Sequence, residues 1–443
     1  AVDFTDKLSL DLARANIEQS RKMGWVQGDP EAIMIVEYTG ESEAEAKSKV
    51  EKLEARRTRD RFGYHGHIAL DAGEQRTIWN LRKAGLGLLL GMKGDKKPIA
   101  FVEDTCVEPK HLAAFVPRFK EIFAKHDTVG AYYGHCSVGC LHIRPVIDLK
   151  VTPNRADCLG VRGIARDLAA SGSGRLKPLD ATPVEGRFRS PIAIHIEDRK
   201  ACPLFLGRHI RGLNNGPSPR WLRDRLEAIG LRPISALVDI TNFLTFDVNR
   251  PLHVFDAAKL RGDLTVRFAR PGEKLLALNG REYELDPEIT AIADENGVQS
   301  LGGVIGGEPT GCTEATTEVF VEAALFDPIR TAATGRRLEI ISDARYRFER
   351  GVDPAFVGPG LEIATRLILE LCGGEASDIV VAGAEPDWHR EYRLSPEPLA
   401  GLGGLHVPPD ESRQILEALG CSISEAAERD GSLRVEPPSW RGD

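Results

Sequence analysis

The chain has 443 residues, of which 42% are hydrophobic and 28% are charged, and its formal net charge is −8. This length predicts about three domains, and no apolar run reaches the ~18 residues that a membrane-spanning helix needs. The negative charge argues against a protein that binds duplex DNA, because such binding depends on clustered Lys and Arg. Scattered cysteines and the lack of a visible signal peptide predict a cytoplasmic protein rather than a secreted disulfide framework.

Between residues 30 and 150, short strand-like runs alternate with helical patterns, which predicts an α+β domain around one sheet. The runs are, in order, AIMIVEY, EAEAKSKVEKLEARR, TIWNLRKAGLGLLL, IAFVEDTCV, HLAAFVPRFKEIFAKH and VGAYYGHC. Pro117 interrupts the last helical pattern, and a continuous helix there is expected to lose about 3 kcal/mol and to kink. One face of this helix is expected to be core, because apolar residues recur every three or four positions: Leu112, Phe115, Phe119, Ile122 and Phe123.

A helix is predicted from Thr152 to about Ser171, with Pro153 and Asn154 as the start signal. A polar stretch rich in Gly and Pro then marks a boundary. Strands are predicted beyond it in ALVDITNFLTFD, LTVRFA, KLLALNGREYEL, ITAIADENGVQSLGG and EVFVEAALF, with hairpin signals at Asn279-Gly280 and Asn296-Gly297. Helices at PRWLRDRLEAIG and GPGLEIATRLILELCGG flank them, and a small module with the helix DESRQILEALG and the strand SLRVEPP follows.

Two histidines, His135 and His142, lie seven residues apart in GHCSVGCLH. The glycines between and beside them permit a tight turn that brings the imidazoles together. Neutral imidazoles suit Zn²⁺ and related ions, so a metal site is one interpretation. The other is a hydrogen-bonded pair of histidines at a sheet edge, because two ligands do not complete a metal site.

The stretch from TIWNLRKAG to GCLHIRP resembles the C-terminal domain of FAD-linked oxidases, the group of D-lactate, glycolate and 2-hydroxyglutarate dehydrogenases, over most of residues 20–148. The resemblance implies a divalent metal held by His135 and His142. It also implies a clamp for the substrate carboxylate at Arg82 and Lys97, although solvated surface charges remain an alternative for that pair. The sequence has no counterpart of the family's flavin domain or of its third metal ligand, a glutamate. We therefore expect no FAD, no other cofactor and no redox activity, since side chains do not accept hydride.

From VIDLKVTPNRADCLG onward the chain resembles the β subunit of bacterial phenylalanyl-tRNA synthetase, through CPLFLGRHIRGL, LVDITNFLTFDVNRPLHVFD, LGGVIGGE, VFVEAALFDP, SDARYRFERGVDP and PSWR. The resemblance implies an editing domain that hydrolyses tyrosine wrongly esterified to tRNA(Phe). The implied partners are the acceptor end of tRNA(Phe) and the synthetase α subunit, in an α2β2 assembly. No ATP site for aminoacylation is visible, so we expect hydrolysis but no aminoacylation by this chain alone. The two resemblances are expected to join between Pro145 and Val151.

Glu322 breaks the apolar run VFVEAALF, and a buried carboxylate is costly unless it finds hydrogen-bond donors. The resemblance implies that Glu322 recognises the tyrosine hydroxyl, that Gly306 leaves room for the ring, and that Ser342 borders the amino-acid pocket. His253 and Arg232 are the implied catalytic residues, which would hold the terminal adenosine or a water. His253 is the candidate proton carrier, because an imidazole pKa ordinarily lies near working pH. Purely structural roles remain open for Glu322 and His253.

Together these patterns predict a multidomain α+β protein. We expect a ferredoxin-like substrate domain at 1–148, a helix and linker at 149–190, a β-rich editing domain at 191–385 and a small helical or winged module at 386–443. The predicted function is hydrolytic editing of tyrosyl-tRNA(Phe) by a chain of the synthetase β type fused to a flavin-less oxidase fragment. The alternatives are a remnant of an FAD-dependent D-2-hydroxy acid dehydrogenase and an inactive fusion.

Overall fold

The computed structural model describes residues 2–90, 97–98, 102–147, 151–395, 401, 403–424 and 432–442. The chain divides into two compact units: residues 1–150 with 224–232 form the first, and residues 151–223 with 233–443 form the second. Both contain helices and sheets, which confirms the multidomain α+β class. Within these described ranges, no helix combines the length and the apolar character needed to cross a membrane.

The first unit is built on one antiparallel sheet. Its helices and strands are β1 Val2–Asp6, α1 Lys7–Ala15, α2 Ile17–Ser20, β2 Ala32–Val36, α3 Glu43–Arg59, α4 Ala72–Leu90, β3 Lys97–Pro98, β4 Val102–Cys106, α5 Leu112–Lys125, β5 Val129–His135 and β6 Cys140–Ile147. The sheet order is β2-β1-β5-β6-β3, and β4 also pairs with β6. Because β1 lies between β2 and β5, the N-terminal residues contribute directly to the sheet.

Helix α5 runs through Pro117 without a break. Its aromatic face packs on β5 and β6, with the Phe115 and Phe119 ring centroids 5.0 Å apart and those of Phe119 and Phe123 5.8 Å apart. The predicted core face is therefore confirmed for these residues. It is wrong for Ile122, which is half exposed.

The remaining elements follow residue 150. They are α6 Val161–Ala170, β7 Ile194–Ile196, β8 Leu204–Arg211, α7 Arg220–Ala228, α8 Ala236–Asp247, β9 His253–Asp256, β10 Leu264–Phe268, β11 Lys274–Leu276, β12 Glu282–Glu284, β13 Thr290–Asp294, β14 Gly297–Leu301, β15 Ile305–Gly306, β16 Glu318–Leu325, α9 Pro328–Arg337, α10 Asp343–Phe348, α11 Val357–Cys372, β17 Glu375–Ala376, β18 Val380–Gly383, β19 Tyr392–Leu394, α12 Pro409–Ala418, β20 Ser422–Ser424 and β21 Leu433–Glu436.

Two sheets and one shared core organise the second unit. The first sheet has the order β15-β14-β13-β10-β7, and the second has β17-β8-β16-β9 with β18 also on β8. Apolar side chains of both sheets meet in one cluster, with Leu264 and Val266 from the first sheet and Phe205, Phe255 and Phe320 from the second. A separate three-stranded sheet, β19-β21-β20, accompanies α12 near the C-terminus. The predicted helix and strand of that module are both present.

The prediction for ALVDITNFLTFD was wrong, because this stretch is helix α8 and not a strand. Its buried Leu237, Ile240 and Leu244 are spaced by three and four residues, which is the period of a helical face. The β-branched composition suggested a strand, whereas the spacing of the buried residues fits a helix. The helix predicted from Thr152 begins only at Val161, which is exposed. The turn at Asn279-Gly280 is confirmed, with Gly280 at φ +75°.

Candidate functional site

Glu322 lies at the centre of the second sheet of the second unit. In β16 it pairs with Gly207 of β8 on one side and with His253 of β9 on the other. Directly opposite residues of an antiparallel pair point to the same face of the sheet, so Glu322 and His253 share a face. Glu322 is only 6% exposed, and within the described ranges its Oε2 has no hydrogen-bond partner. The carboxyl group is therefore buried with an unmet hydrogen bond.

Burial raises the pKa of Glu322 to about 8, while the nearby charge of Arg250 acts in the opposite direction. A carboxyl with such a pKa is mostly protonated at neutral pH, since burial disfavours the charged form. It can then both donate and accept a hydrogen bond. This is the property needed to pair with a hydroxyl group.

Arg250 is a second buried charged residue in this region, and no sequence pattern predicted its role. Its side chain is 1% exposed, and its guanidinium donates to the backbone oxygens of Pro251, at 3.3 Å, and Ala324. Among the described residues its Nη1 has no partner. Burial lowers the pKa of Arg250 to about 10. The sequence signal was weak, because the arginine stands beside Asp247 and Asn249 in a segment of mixed polarity.

His253 packs its imidazole edge against Phe255, with ring centroids 4.4 Å apart and planes nearly perpendicular. The residue as a whole is partly exposed, but its Nε2 is shielded from solvent and has no partner in the described part of the chain. Burial lowers the pKa of His253 to about 4. The expectation of an imidazole pKa near working pH was therefore wrong, because desolvation disfavours the imidazolium. At neutral pH the ring is uncharged and can accept a hydrogen bond or a proton.

Gly306, in β15, lies directly against the imidazole of His253. A Cβ at this position would come within 2.2 Å of the His253 Cε1 atom and 2.8 Å of its Nε2 atom. The space that the sequence analysis reserved for a substrate ring is thus filled by His253 in this structure. The glycine allows the imidazole of one sheet to touch the backbone of the other.

Ser342 has a local structural role. Its hydroxyl donates to the backbone oxygen of Val304 at 2.6 Å and accepts from the N–H of Arg345 at 3.1 Å, which caps helix α10. This links the helix to the GGVIGG turn that leads to Gly306. Arg232 is exposed and belongs to the compact unit of residues 1–150 and 224–232, so its catalytic role stays a prediction.

In the first unit, His135 and His142 lie on neighbouring strands, with ring centroids 5.8 Å apart and planes nearly perpendicular. The Nδ1 of His135 is 2.9 Å from Oδ1 of Asp3, and the Nε of Arg82 is 3.2 Å from the other carboxylate oxygen. The charge of Arg82 is therefore neutralised by Asp3, which leaves it less suited to clamp a substrate carboxylate. The side chain of Lys97 lies outside the described residues.

A metal site would need a third ligand beside the two histidines. Across the described ranges, the one group of three His, Cys, Asp or Glu residues whose ligand atoms all lie within 4.8 Å of one another is Asp157, Cys158 and Asp167. Arg155 already donates to both carboxylates of that group, at 3.0 and 2.6 Å, which makes it an ion-pair network. The two histidines do not form a complete metal site with the described residues. The function proposed below depends on neither a metal nor a flavin.

Two family models match parts of the chain. Residues 201–373, which contain both large sheets of the second unit except β7, β17 and β18, match the family model of the B3/4 domain. Residues 1–174 match the family model of the C-terminal domain of FAD linked oxidases.

Two curated proteins are similar to about two thirds of the chain. The chain is 63% identical over 303 residues to the phenylalanine--tRNA ligase beta subunit of Paramagnetospirillum magneticum, covering 68% of this chain and 38% of that protein. It is 58% identical over 302 residues to the beta subunit of Cereibacter sphaeroides, covering 68% of this chain and 37% of the relative. Both resemblances inferred from the sequence are thereby confirmed. The chain spans less than two fifths of the length of these relatives.

The similar solved structures include one of a synthetase fragment. It is an N-terminal fragment of the phenylalanyl-tRNA synthetase beta subunit from Pyrococcus horikoshii, with a TM-score of 0.34 and 16% sequence identity. The similarity covers 74% of this chain and 90% of that one.

Proposed function

We propose that the second unit hydrolyses the ester between a wrongly attached tyrosine and tRNA(Phe). The observation that carries this proposal is a pair of unmet hydrogen bonds on one sheet face. The Oε2 of Glu322 and the Nε2 of His253 are both buried without a partner in the described residues, on directly opposed positions of β16 and β9. Buried polar groups are ordinarily hydrogen-bonded, so two orphaned atoms on one face of the sheet favour a ligand-binding site.

Glu322 would recognise the substrate. A protonated carboxyl can exchange hydrogen bonds with the phenolic hydroxyl of tyrosine. Phenylalanine offers no such group, so its binding would leave the carboxyl unpaired in an apolar core, and sites built to bond a hydroxyl reject the analogue that lacks it. The site would therefore select the wrong amino acid and spare the right one.

His253 would act on the water. Its neutral imidazole can accept a hydrogen bond from the water that attacks the ester carbonyl. The water oxygen forms a bond to the carbonyl carbon, and the bond from that carbon to the ribose oxygen breaks. The proton that the water gives up through His253 passes to the leaving ribose oxygen, so tyrosine is released as the acid and the terminal adenosine regains its hydroxyl. Because both orphaned atoms are shielded from solvent, their neighbours must move to admit the substrate. The acceptor end of tRNA(Phe) and a synthetase α subunit are the proposed partners.

The test is deacylation of tyrosyl-tRNA(Phe) and phenylalanyl-tRNA(Phe) by the full chain. We expect faster loss of tyrosine than of phenylalanine. Glu322→Ala should reduce this preference by about 10- to 100-fold, which is the effect of removing one hydrogen bond to a buried ionisable group. Glu318→Gln is the matched control, because Glu318 lies on the same strand but bonds to His209 instead. It should keep the preference.

A second variant separates recognition from catalysis. Gly306→Ala would force the imidazole of His253 aside, since the new Cβ would overlap the ring. Hydrolysis of the tyrosyl ester should slow while Glu322 remains in place. The proposal is wrong if the folded protein releases tyrosine no faster than the tRNA alone does, or if Glu322→Ala keeps the full preference.

A further inference from the structure

Two cysteines of the first unit, Cys106 and Cys140, face each other across neighbouring strands. Cys106 ends β4 and Cys140 begins β6, and the two are direct partners in the antiparallel register. Both are thiols in this structure; Cys106 is exposed and Cys140 is half-buried. The two cysteines are 34 positions apart in the chain, and no sequence pattern predicted that they would be paired.

The hydrogen-bond pattern fixes the type of this pair. The N–H of Val107 donates to the backbone oxygen of Gly139 at 2.9 Å, which places a hydrogen bond between the two strands at the position next to Cys106 and Cys140. Hydrogen-bonded and non-hydrogen-bonded pairs alternate along an antiparallel ladder, so the adjacent pair, Cys106 and Cys140, is non-hydrogen-bonded. In such a pair the Cα atoms are about 4.5 Å apart and the side chains approach most closely. This separation falls within the range of Cα distances that a disulfide spans.

A disulfide between Cys106 and Cys140 would tie β4 to β6. Among the described strands, β4 pairs only with β6, and its register is interrupted between Val102 and Thr105. Cys106 is the last residue of this irregular strand. Gly139, which adjoins Cys140, has φ +71°, and a Cβ there would lie 1.7 Å from the backbone oxygen of Val107. The close approach of the two strands places the cysteines opposite each other before any disulfide forms.

We propose that Cys106 and Cys140 form a reversible disulfide when the protein meets a low-molecular-weight disulfide oxidant such as oxidised glutathione. One thiol attacks the oxidant and releases one molecule of reduced glutathione, giving a mixed disulfide on the protein. The second thiol then displaces the other glutathione, and the sulfur–sulfur bond closes. Overall, two protein thiols are oxidised, one glutathione disulfide is reduced to two thiols, and no other reactant is needed. The modification is independent of the hydrolytic function proposed for the second unit.

The test is peptide mapping of the full chain after incubation with oxidised glutathione. Remaining thiols are alkylated, the protein is digested with trypsin without reduction, and cross-linked peptides are identified by mass spectrometry. We expect one intramolecular link between the peptide that carries Cys106 and the peptide that carries Cys140, with the loss of two alkylatable thiols. Dithiothreitol should restore both thiols.

Variants identify the partner, because Cys136 and Cys140 occur in the same tryptic peptide. Cys136→Ser is the matched control and should retain the link. Cys106→Ser and Cys140→Ser should each abolish it, and Cys106→Ser is expected to fold because that side chain is exposed. A link that survives in Cys140→Ser, a link only between two molecules, or glutathione adducts without a second step would each overturn the proposal.

Discussion

Replacing Glu322 by glutamine should change how the stability of the second unit depends on pH. The pKa of Glu322 in the folded protein is about 8, against an ordinary value of 4.5. The folded state therefore binds this proton more tightly than the unfolded chain, so its stabilising contribution is complete below pH 4.5 and is lost as the pH rises through 8. At 1.36 kcal/mol for each pKa unit, the full loss is about 5 kcal/mol, of which about 2 kcal/mol falls between pH 6.5 and 8.

Native-state amide hydrogen exchange of β16 measures this effect directly. After correction for intrinsic exchange rates, the free energy of opening in the unmodified protein should fall by about 2 kcal/mol from pH 6.5 to 8. Glu322→Gln has no titrating group at this position, so its profile should be flat over the same range. Glu282→Gln, an exposed position in the same unit, should behave like the unmodified protein. If the profiles of the unmodified protein and Glu322→Gln run parallel, burial does not hold this carboxyl protonated and the recognition argument fails.

Two further predictions concern His253 and Ser342. The pKa of His253 is lowered from 6.5 to about 4. Its stabilising contribution is therefore present above pH 6.5, and about 3 kcal/mol is lost as the pH falls through 4. An NMR titration should give an imidazole midpoint near 4, and a midpoint near 6.5 would show that the ring is not desolvated. Ser342→Ala removes the hydroxyl that caps α10 and should lower the free energy of unfolding by about 1 kcal/mol, whereas Ser342→Thr keeps a capping hydroxyl and most of the stability. Chemical denaturation compares the two variants, and equal stability would contradict a capping role.

The sequence identified the features that depend on neighbouring residues along the chain. The Asn279-Gly280 turn was predictable because a glycine at positive φ is a local requirement of the hairpin. The burial of Glu322 was predictable because a single carboxylate stood within an apolar strand pattern. Helix α8 was misread for the same local reason, because its β-branched composition outweighed the three-and-four spacing of its buried residues.

Tertiary structure alone decided which distant groups meet. His253 and Glu322 are 69 positions apart, and only the pairing of β9 with β16 makes them neighbours. The same holds for Asp3 and Arg82. Their ion pair neutralises the charge of Arg82, which the sequence resemblance had assigned to a substrate carboxylate. The pKa values of His253 and Glu322 move in opposite directions, one down and the other up, because desolvation penalises the charged form of each. How strongly a group is desolvated depends on what packs over it, and that information is absent from the local sequence.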